Sequence, residues 1–575
     1  MSLLTGVHDR IEQARDASGR PALLPWTSFE EFFRSRAYDS RLVTRNFLTY
    51  CDDERRLRRT YTYAEFGAVV ERMADGLHTN LGLSRGDRIA TVLFNHDLTL
   101  LTYFAAWTLG ITVVPINIEE TTNRKRYILE HSEVSAALCW EDAYEEIKDL
   151  QSTVPSLREV VAIGDGGILE SRSQKPTGKA RKNGSPFPAH PTSSTSRLDD
   201  PALIIYTSGT TGPPKGVILT MANLLIDADA IADWHGFGTR DRLMCVLPIH
   251  HVNGIVVTLM TPFYCRGSLV LNRRFKSGSF WRRIHEEEVT CVSVVPTLLE
   301  FLLDADEDIA AYRLDRFGGM ICGAGPLLKD TATRFEDRFG FRIRHGYGLS
   351  EATCYSSFLP NDLTQEQHRR WLAGHEFPSI GPAIRHNLMA ILDECGKSVP
   401  EGVRGEICIR GRTVCAGYFK RNDANEDAFQ WGWFRSGDEG FYVADERGRP
   451  FFFISGRLKE LIIRGGLNIS PLEIDNVLKG HPAVKFAMAL PFENRYYGEE
   501  IAAYVVPNDP ASPPTETDLL AYCRGRLPFA KQPKVVLMGE DVPYTSTGKP
   551  KRLELKVRLA TTLAAYRERQ FREQR

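Results

Sequence analysis

What this chain lacks narrows its function first. Neither charge is in excess: 72 lysines and arginines face 73 aspartates and glutamates, a formal net charge of −1. That balance leaves no electrostatic footprint for nucleic acid or for an anionic membrane. There is no C-x-x-C pair and no Cys/His cluster at zinc spacing. The eleven cysteines are scattered, the usage of reduced thiols in a cytoplasmic protein. No secretory signal is visible, because the first twenty residues carry Asp9, Arg10, Glu12, Arg15, Asp16 and Arg20. No transmembrane segment is expected either. The uncharged stretch 98–118 contains Gly110 and Pro115, and the stretch 243–265 contains Pro248, His250, His251, Asn253 and Pro262. Both read as buried α/β core. Internal repeats are absent, and 575 residues are too many for one core.

What is present is organised around Tyr206-Thr-Ser-Gly-Thr-Thr-Gly-Pro-Pro-Lys-Gly-Val217. The apolar run 201–206 reads as a short buried strand that discharges into a loop of glycines and hydroxyls. Gly209 and Gly212 let the backbone curl so that its N–H groups point inward as an anion nest. Thr207, Ser208, Thr210 and Thr211 add donors, and Lys215 adds a positive charge. Such a loop suits the phosphates of a nucleotide; the same composition also makes flexible linkers, but a linker has no reason to follow a buried strand directly. The Gly-x-x-x-x-Gly-Lys-Ser/Thr loop of the common NTPases is ruled out, since Pro214 precedes the lysine and Gly216 follows it. These twelve residues resemble the signature loop of the adenylate-forming superfamily, which includes acyl-CoA synthetases, peptide-synthetase adenylation domains and beetle luciferases.

Around this loop, strands and helices alternate. Strands are expected at 88–94, 111–117, 242–247, 267–271, 289–295 and 317–322, with helices at 98–109, 124–131, 255–264, 280–288 and 297–304. Further helices begin near 28 and near 60. The pattern predicts an α/β fold whose large N-terminal domain is built of doubly wound mixed sheets. A β-rich subdomain is expected over 380–443. A small mobile α+β domain follows, which divides the chain at 1–456 and 457–575. Residues 164–200, dense in Lys, Ser, Pro, Gly and Thr, read as a disordered insertion.

Five further motifs follow in order. Gly323-Ala-Gly-Pro-Leu327 ends a strand with residues small enough for a flat base to approach the backbone (Gly323, Ala324, Gly325, Pro326). Gly346-Tyr-Gly-Leu-Ser-Glu-Ala-Thr353 offers Tyr347 to stack on a base and Glu351 as a hard oxygen ligand for Mg²⁺. Standing alone, Glu351 reads equally as a surface carboxylate at a helix start. Asp438, in Trp433-Phe-Arg-Ser-Gly-Asp-Glu-Gly440, can accept from two ribose hydroxyls or make an ordinary Gly-Asp turn. The run from Ser455 carries Arg457, Lys459 and the pair Gly465-Gly466. Lys549 sits on a glycine turn in 543–552.

The resemblance to the adenylate-forming superfamily covers about residues 28–555, with six motifs in the family's order. It implies ATP, Mg²⁺ and coenzyme A as the cofactors and co-substrates of an AMP-forming acid–thiol ligase. Thr207, Ser208, Gly209, Thr210, Thr211, Gly212 and Lys215 would hold phosphates. Residues 323–326, Gly346, Tyr347, Gly348 and Ser350 would hold the base, Asp438 the ribose, and Arg457 ribose or phosphate. Glu351 would hold the metal, Lys549 would be the catalytic lysine, Lys459 the hinge, and Gly465-Gly466 the passage for the thiol arm. His251 is assigned to the acyl wall and to the catalytic group, with Asn253, Gly254, Val294, Thr297, Gly346, Gly348 and Cys354 as further pocket candidates. None of these is acidic, which disfavours amino acids as substrates. Ser350 and Ser436 replace the usual threonines, and Met221 stands where many relatives carry histidine. Because no carrier domain follows, coenzyme A is the expected thiol. The alternatives are a separate carrier protein, another nucleophile, or a non-catalytic nucleotide-binding protein. The partner in every case but the last is a small carboxylic acid.

Overall fold

The computed structural model describes residues 6–16, 24–164, 167–168, 196–207, 213–305, 307–545 and 548–572. Two mixed sheets form the body of the large domain. One has eight strands and the other seven. In the seven-stranded sheet, Arg88–Leu93, Thr112–Asn117, Ala136–Trp140 and Glu159–Gly164 pair in parallel, as the alternating strands and helices require. The apolar run 98–118 resolves into the buried helix Asp97–Thr108 and the strand Thr112–Asn117. The run 243–265 becomes the strand Arg242–Cys245, a π-helical stretch Asn253–Met260 and the turn of helix Thr261–Tyr264. Among the described residues no helix is long and apolar enough to cross a membrane.

Two local expectations need adjustment. The second early helix begins at Tyr63, three residues later than expected, because Thr62 and Glu65 form a reciprocal capping box. The residues before it, Leu57–Thr62, pair antiparallel with Asn46–Asp52 as a hairpin on the edge of the eight-stranded sheet. The strand Lys215–Thr220 returns antiparallel to Pro201–Thr207, so the strands on either side of the phosphate loop pair with each other. Of the expected insertion, residues 165–166 and 169–195 lie outside the described residues, as do Ser208, Gly209, Thr210, Thr211 and Gly212.

The β-rich subdomain is a six-stranded antiparallel sheet, with Trp433–Ala444 paired to both Gly405–Gly411 and Pro450–Arg457. The smaller C-terminal domain has its own five-stranded sheet and its own apolar core around Ile462, Leu478, Ala489 and Val505. Its last helix, Arg552–Ala564, packs on that domain through Leu555 and Leu563. Arg552 anchors the helix by a buried ion pair to Asp475 at 2.6 Å.

Candidate active site

The phosphate hairpin is held at its root by register: Thr207 opposes Lys215 and Tyr206 opposes Gly216. A second stretch of chain, 416–419, runs beside the outgoing strand. The Phe419 N–H donates to Gly216, and the Ile218 N–H donates to Gly417 at 2.9 Å. This lays the Tyr418 ring under Lys215, whose Nζ lies 4.8 Å from the ring centroid. The Tyr418 hydroxyl donates to Glu351 Oε1 at 2.9 Å. The loop lysine and the carboxylate of the second motif, 136 positions apart by numbering, thus share one buried phenol. Burial and the Glu351 charge hold that phenol far above its usual range. Sequence reasoning missed Tyr418; the signal was the aromatic after Ala416-Gly417.

Asp438 lies inside the strand Trp433–Ala444, opposite Arg457, and not in a Gly-Asp turn. Each of its oxygens has a donor: the Tyr347 hydroxyl at 2.7 Å on one and Arg457 Nε at 3.2 Å on the other. The Ser436 hydroxyl accepts from the Asp438 N–H at 3.0 Å and donates to the Ile407 carbonyl at 2.6 Å. The serine therefore does backbone work that its hydroxyl alone suffices for. Arg457 keeps half of its side chain exposed, and Asp438 strengthens its charge.

The glycines of these motifs answer to chain crossings. A Cβ on Gly348 would stand 1.6 Å from the Cys354 carbonyl oxygen, and one on Gly346 would stand 2.2 Å from the Phe358 ring. A Cβ on Gly323 would strike the Tyr355 hydroxyl at 2.5 Å, whereas Ala324 adopts the left-handed φ of 62°. Gly254 is closed by the Pro248 carbonyl at 2.6 Å, so its smallness serves the π-helical turn and not an open acyl wall.

Lys549 enters this cleft from the C-terminal domain. The turn at Gly548 (φ 76°) is pinned by the Thr297 hydroxyl, which donates to the Gly548 carbonyl at 2.5 Å. Thr297 is thereby a contact between domains. Ion pairs Lys485–Asp304 at 2.8 Å and Lys479–Glu300 at 3.3 Å brace the same docking. The Lys549 stem passes Gly325, where a Cβ would lie 4.0 Å from the Lys549 Cγ. Although part of its surface stays exposed, burial pushes its ammonium down to about 8; Arg457 adds to the push, and Asp438 and Glu351 oppose it.

The residues expected to line the acyl pocket are neutral. His250 and His251 lie ring against ring, with centroids 4.4 Å apart. Burial holds His250 down at about 4, and burial, His250 and Lys549 hold His251 well below its usual value. Neither imidazole carries charge at neutral pH. Asn253 donates to the Tyr355 hydroxyl at 3.3 Å and accepts from Ser293 at 2.7 Å. Val294 is fully buried in the core. Burial keeps the Cys354 thiol protonated, which rules it out as a nucleophile.

Lys459 lies exposed on the short turn Leu458–Glu460. Gly465 and Gly466 make a two-residue hairpin turn at φ 56° and 84°, and both face solvent. The structure thus gathers Lys549, Glu351, Asp438, Arg457 and Tyr347 and leaves the glycine pair outside. Among the described residues no three His, Cys, Asp or Glu side chains converge as a metal cage. Glu351 offers a single carboxylate, which fits an Mg²⁺ ion that brings phosphate and water oxygens of its own.

A family model described as AMP-binding enzyme matches residues 41–419, and one described as AMP-binding enzyme C-terminal domain matches residues 473–549. The chain belongs to the AMP-binding enzyme family. It is 35% identical to the sulfoacetate–CoA ligase of Cupriavidus necator, over 82% of this chain and 88% of that protein. It is 29% identical to the oxalate–CoA ligase of Arabidopsis thaliana, over 85% and 92%. Among solved structures it resembles ATP-bound MatB from Rhodopseudomonas palustris, with TM-score 0.78 at 25% identity over 93% of this chain and 99% of that one. It also resembles the o-succinylbenzoate CoA synthetase of Bacillus subtilis holding its acyl-adenylate, with TM-score 0.74 at 26% identity over 91% and 97%. This AMP-binding enzyme is an acid–thiol ligase. It uses ATP to turn a carboxylic acid into an acyl-adenylate and passes the acyl group to coenzyme A, with release of AMP and pyrophosphate.

Proposed function

We propose that Lys549 is the residue that drives adenylation in this ligase, and that the arrangement described is the adenylating one. The observation that carries the proposal is the placement of Lys549 in one field with Asp438, Glu351 and Arg457. A carboxylate is a poor electrophile until its oxygen attacks the α-phosphate of ATP and pyrophosphate leaves. Such a transfer is mostly positioning and charge neutralisation. Lys549 offsets charge on the attacking carboxylate and the α-phosphate. Lys215 and the 207–212 loop hold the outer phosphates, and Glu351 would hold an Mg²⁺ ion, which would supply further positive charge to neutralise them. Asp438 exchanges its Tyr347 bond for the ribose hydroxyls, leaving that ring free to lie on the base.

Thioester formation then needs the second face of the C-terminal domain. In this reading residues 1–456 stay fixed and residues 457–575 turn at Lys459. The turn withdraws Lys549 and brings Gly465-Gly466, with no Cβ in the way, beside the thiol arm. His251, as a neutral imidazole, gates the acyl pocket. The eleven free cysteines, most of them buried, favour a reducing compartment such as the cytoplasm. A carrier-protein thiol is the second acceptor to try, because Ile463 and Leu467 beside the glycine pair are more than half exposed. The deciding experiment is acid-dependent ATP–pyrophosphate exchange, with coenzyme A or a loaded carrier protein added afterwards. Exchange with thioester formation on coenzyme A is expected. An enzyme that exchanges but ignores coenzyme A redirects the second half-reaction, and a chain that exchanges with no acid overturns the reading.

A further inference from the structure

Residues 566–571, past the helix Arg552–Ala564, carry no motif, yet they close on one particular turn. That turn, residues 495–497, joins the strands Val484–Asn494 and Gly498–Pro507. The Arg495 N–H donates to the Arg567 carbonyl at 3.0 Å, and the Asn494 side-chain amide donates to the Arg569 carbonyl at 2.9 Å. The Tyr497 hydroxyl donates to the Phe571 carbonyl at 2.9 Å. Phe571 is the anchor, its ring buried in an apolar cluster with Phe492, Ala502, Val535 and Leu563. The ion pairs Arg495–Glu568 at 3.2 Å and Arg567–Glu493 at 3.5 Å are exposed and add little.

The glycine pair Gly465-Gly466 rests on the same turn. The Gly465 N–H donates to the Tyr497 carbonyl at 2.8 Å, and Arg464 opposes Gly498. The Tyr497 ring backs both residues. A Cβ on Gly465 would stand 3.9 Å from the ring's Cδ1, and the Arg464 guanidinium lies 4.2 Å from its centroid. Arg464 also donates to buried Glu500 at 2.9 Å. Tyr497 thus holds the glycine turn with its carbonyl and ring, and residues 566–571 with its hydroxyl. Each of these contacts lies within residues 457–575, so the arrangement travels with the C-terminal domain.

We propose that residues 566–571, acting through Tyr497, are a positioning element for thioester formation, setting the Gly465-Gly466 turn beside which the thiol arm of coenzyme A passes. This rests on the reading of that pair as the thiol passage. A turn of two glycines, both at positive φ, has no side chain to fix its direction and the greatest backbone freedom of any residue pair. A narrow passage tolerates little displacement, so its direction must come from what stands behind it. While Lys549 is docked in the cleft, the glycine pair faces solvent. Adenylation therefore does not use the turn, and loosening it should fall on the second half-reaction alone.

The test reads both half-reactions in the full chain: pyrophosphate exchange, and single-turnover transfer from the acyl-adenylate to coenzyme A. The acid is chosen by exchange from a panel of fatty, aromatic and small polar acids. Phe571→Ala is expected to lower transfer by at least about tenfold in kcat/KM for coenzyme A, with exchange held within about twofold. Tyr497→Phe keeps the ring and the backbone bonds and loses only the bond to Phe571, so transfer should fall by about threefold to fivefold. It decides the matter if Phe571→Ala does not fold. Phe571→Leu, which keeps an apolar anchor, should restore most of the transfer. Gly466→Trp blocks the passage directly and should stop transfer. Equal losses in both half-reactions overturn the proposal, since they mark a merely structural role. Transfer untouched by Phe571→Ala and Tyr497→Phe but stopped by Gly466→Trp overturns it alone. Transfer untouched by Gly466→Trp overturns the passage reading and this proposal together, and absence of exchange with every acid overturns the ligase reading itself.

Discussion

The two ends of the cleft are built by opposite rules. The nucleotide end is assembled from charges held in pairs: Lys215 over Tyr418, Tyr418 to Glu351, Arg457 and Tyr347 to Asp438. The end expected to take the acyl group holds groups whose neutral forms burial favours: His250, His251 and Cys354. A ligand with three or four negative charges needs fixed opposite charge, whereas an acyl chain needs a dry wall with few hydrogen-bonding choices. Lys549, with its ammonium lowered to about 8, is where the two ends meet.

The largest break in this comparison should come from removing that junction. Lys549→Ala is expected to lower adenylation by about 10²–10³, the scale of losing one positioned electrostatic group. Thioester formation from a supplied acyl-adenylate should survive, and pyrophosphate exchange beside single-turnover thiolysis separates the two. Next, Tyr418→Phe keeps the ring under Lys215 but strips the donor from Glu351. A bond to a charged group is worth enough for a loss of about tenfold in kcat/KM for Mg-ATP, and titration of Mg²⁺ at fixed ATP would show whether the metal is what suffers.

The pH profile sharpens the junction itself. In the proposed role Lys549 acts as the ammonium ion, and its pKa of about 8 lies below the ordinary lysine value. The active form is therefore complete at low pH and lost as pH rises through about 8. Exchange kcat/KM should be lower by about fivefold at pH 9 than at pH 8, and Lys549→Arg, which stays protonated, should show a flat profile over that range. The smallest effect belongs to the clasp between domains. Thr297→Val removes the bond to Gly548, worth about 1 kcal/mol, and should slow adenylation by about threefold to fivefold while sparing thiolysis.

How much of this was legible beforehand follows the same division. The strand into the phosphate loop, the Gly346 motif and the Lys549 turn were legible because each packs its chemistry into a few consecutive residues under strong backbone constraint. Even there the reasons shifted. Gly348 and Gly254 are small because another backbone passes within reach of a Cβ, and Thr297 spends its hydroxyl on the other domain. Tyr418 was not legible, because it is defined by a partner far away in the chain, Glu351.

From the sequence alone came the class of fold and the family, since alternating apolar runs and glycine-rich loops act locally. Only the fold sets which carboxylates are paired. Pairing depends on what surrounds a group, and so Asp229 and Asp227, two residues apart on the helix Met221–His235, became an ion pair with Arg385 and a buried carboxyl whose Oδ1 has no hydrogen-bond partner among the described residues.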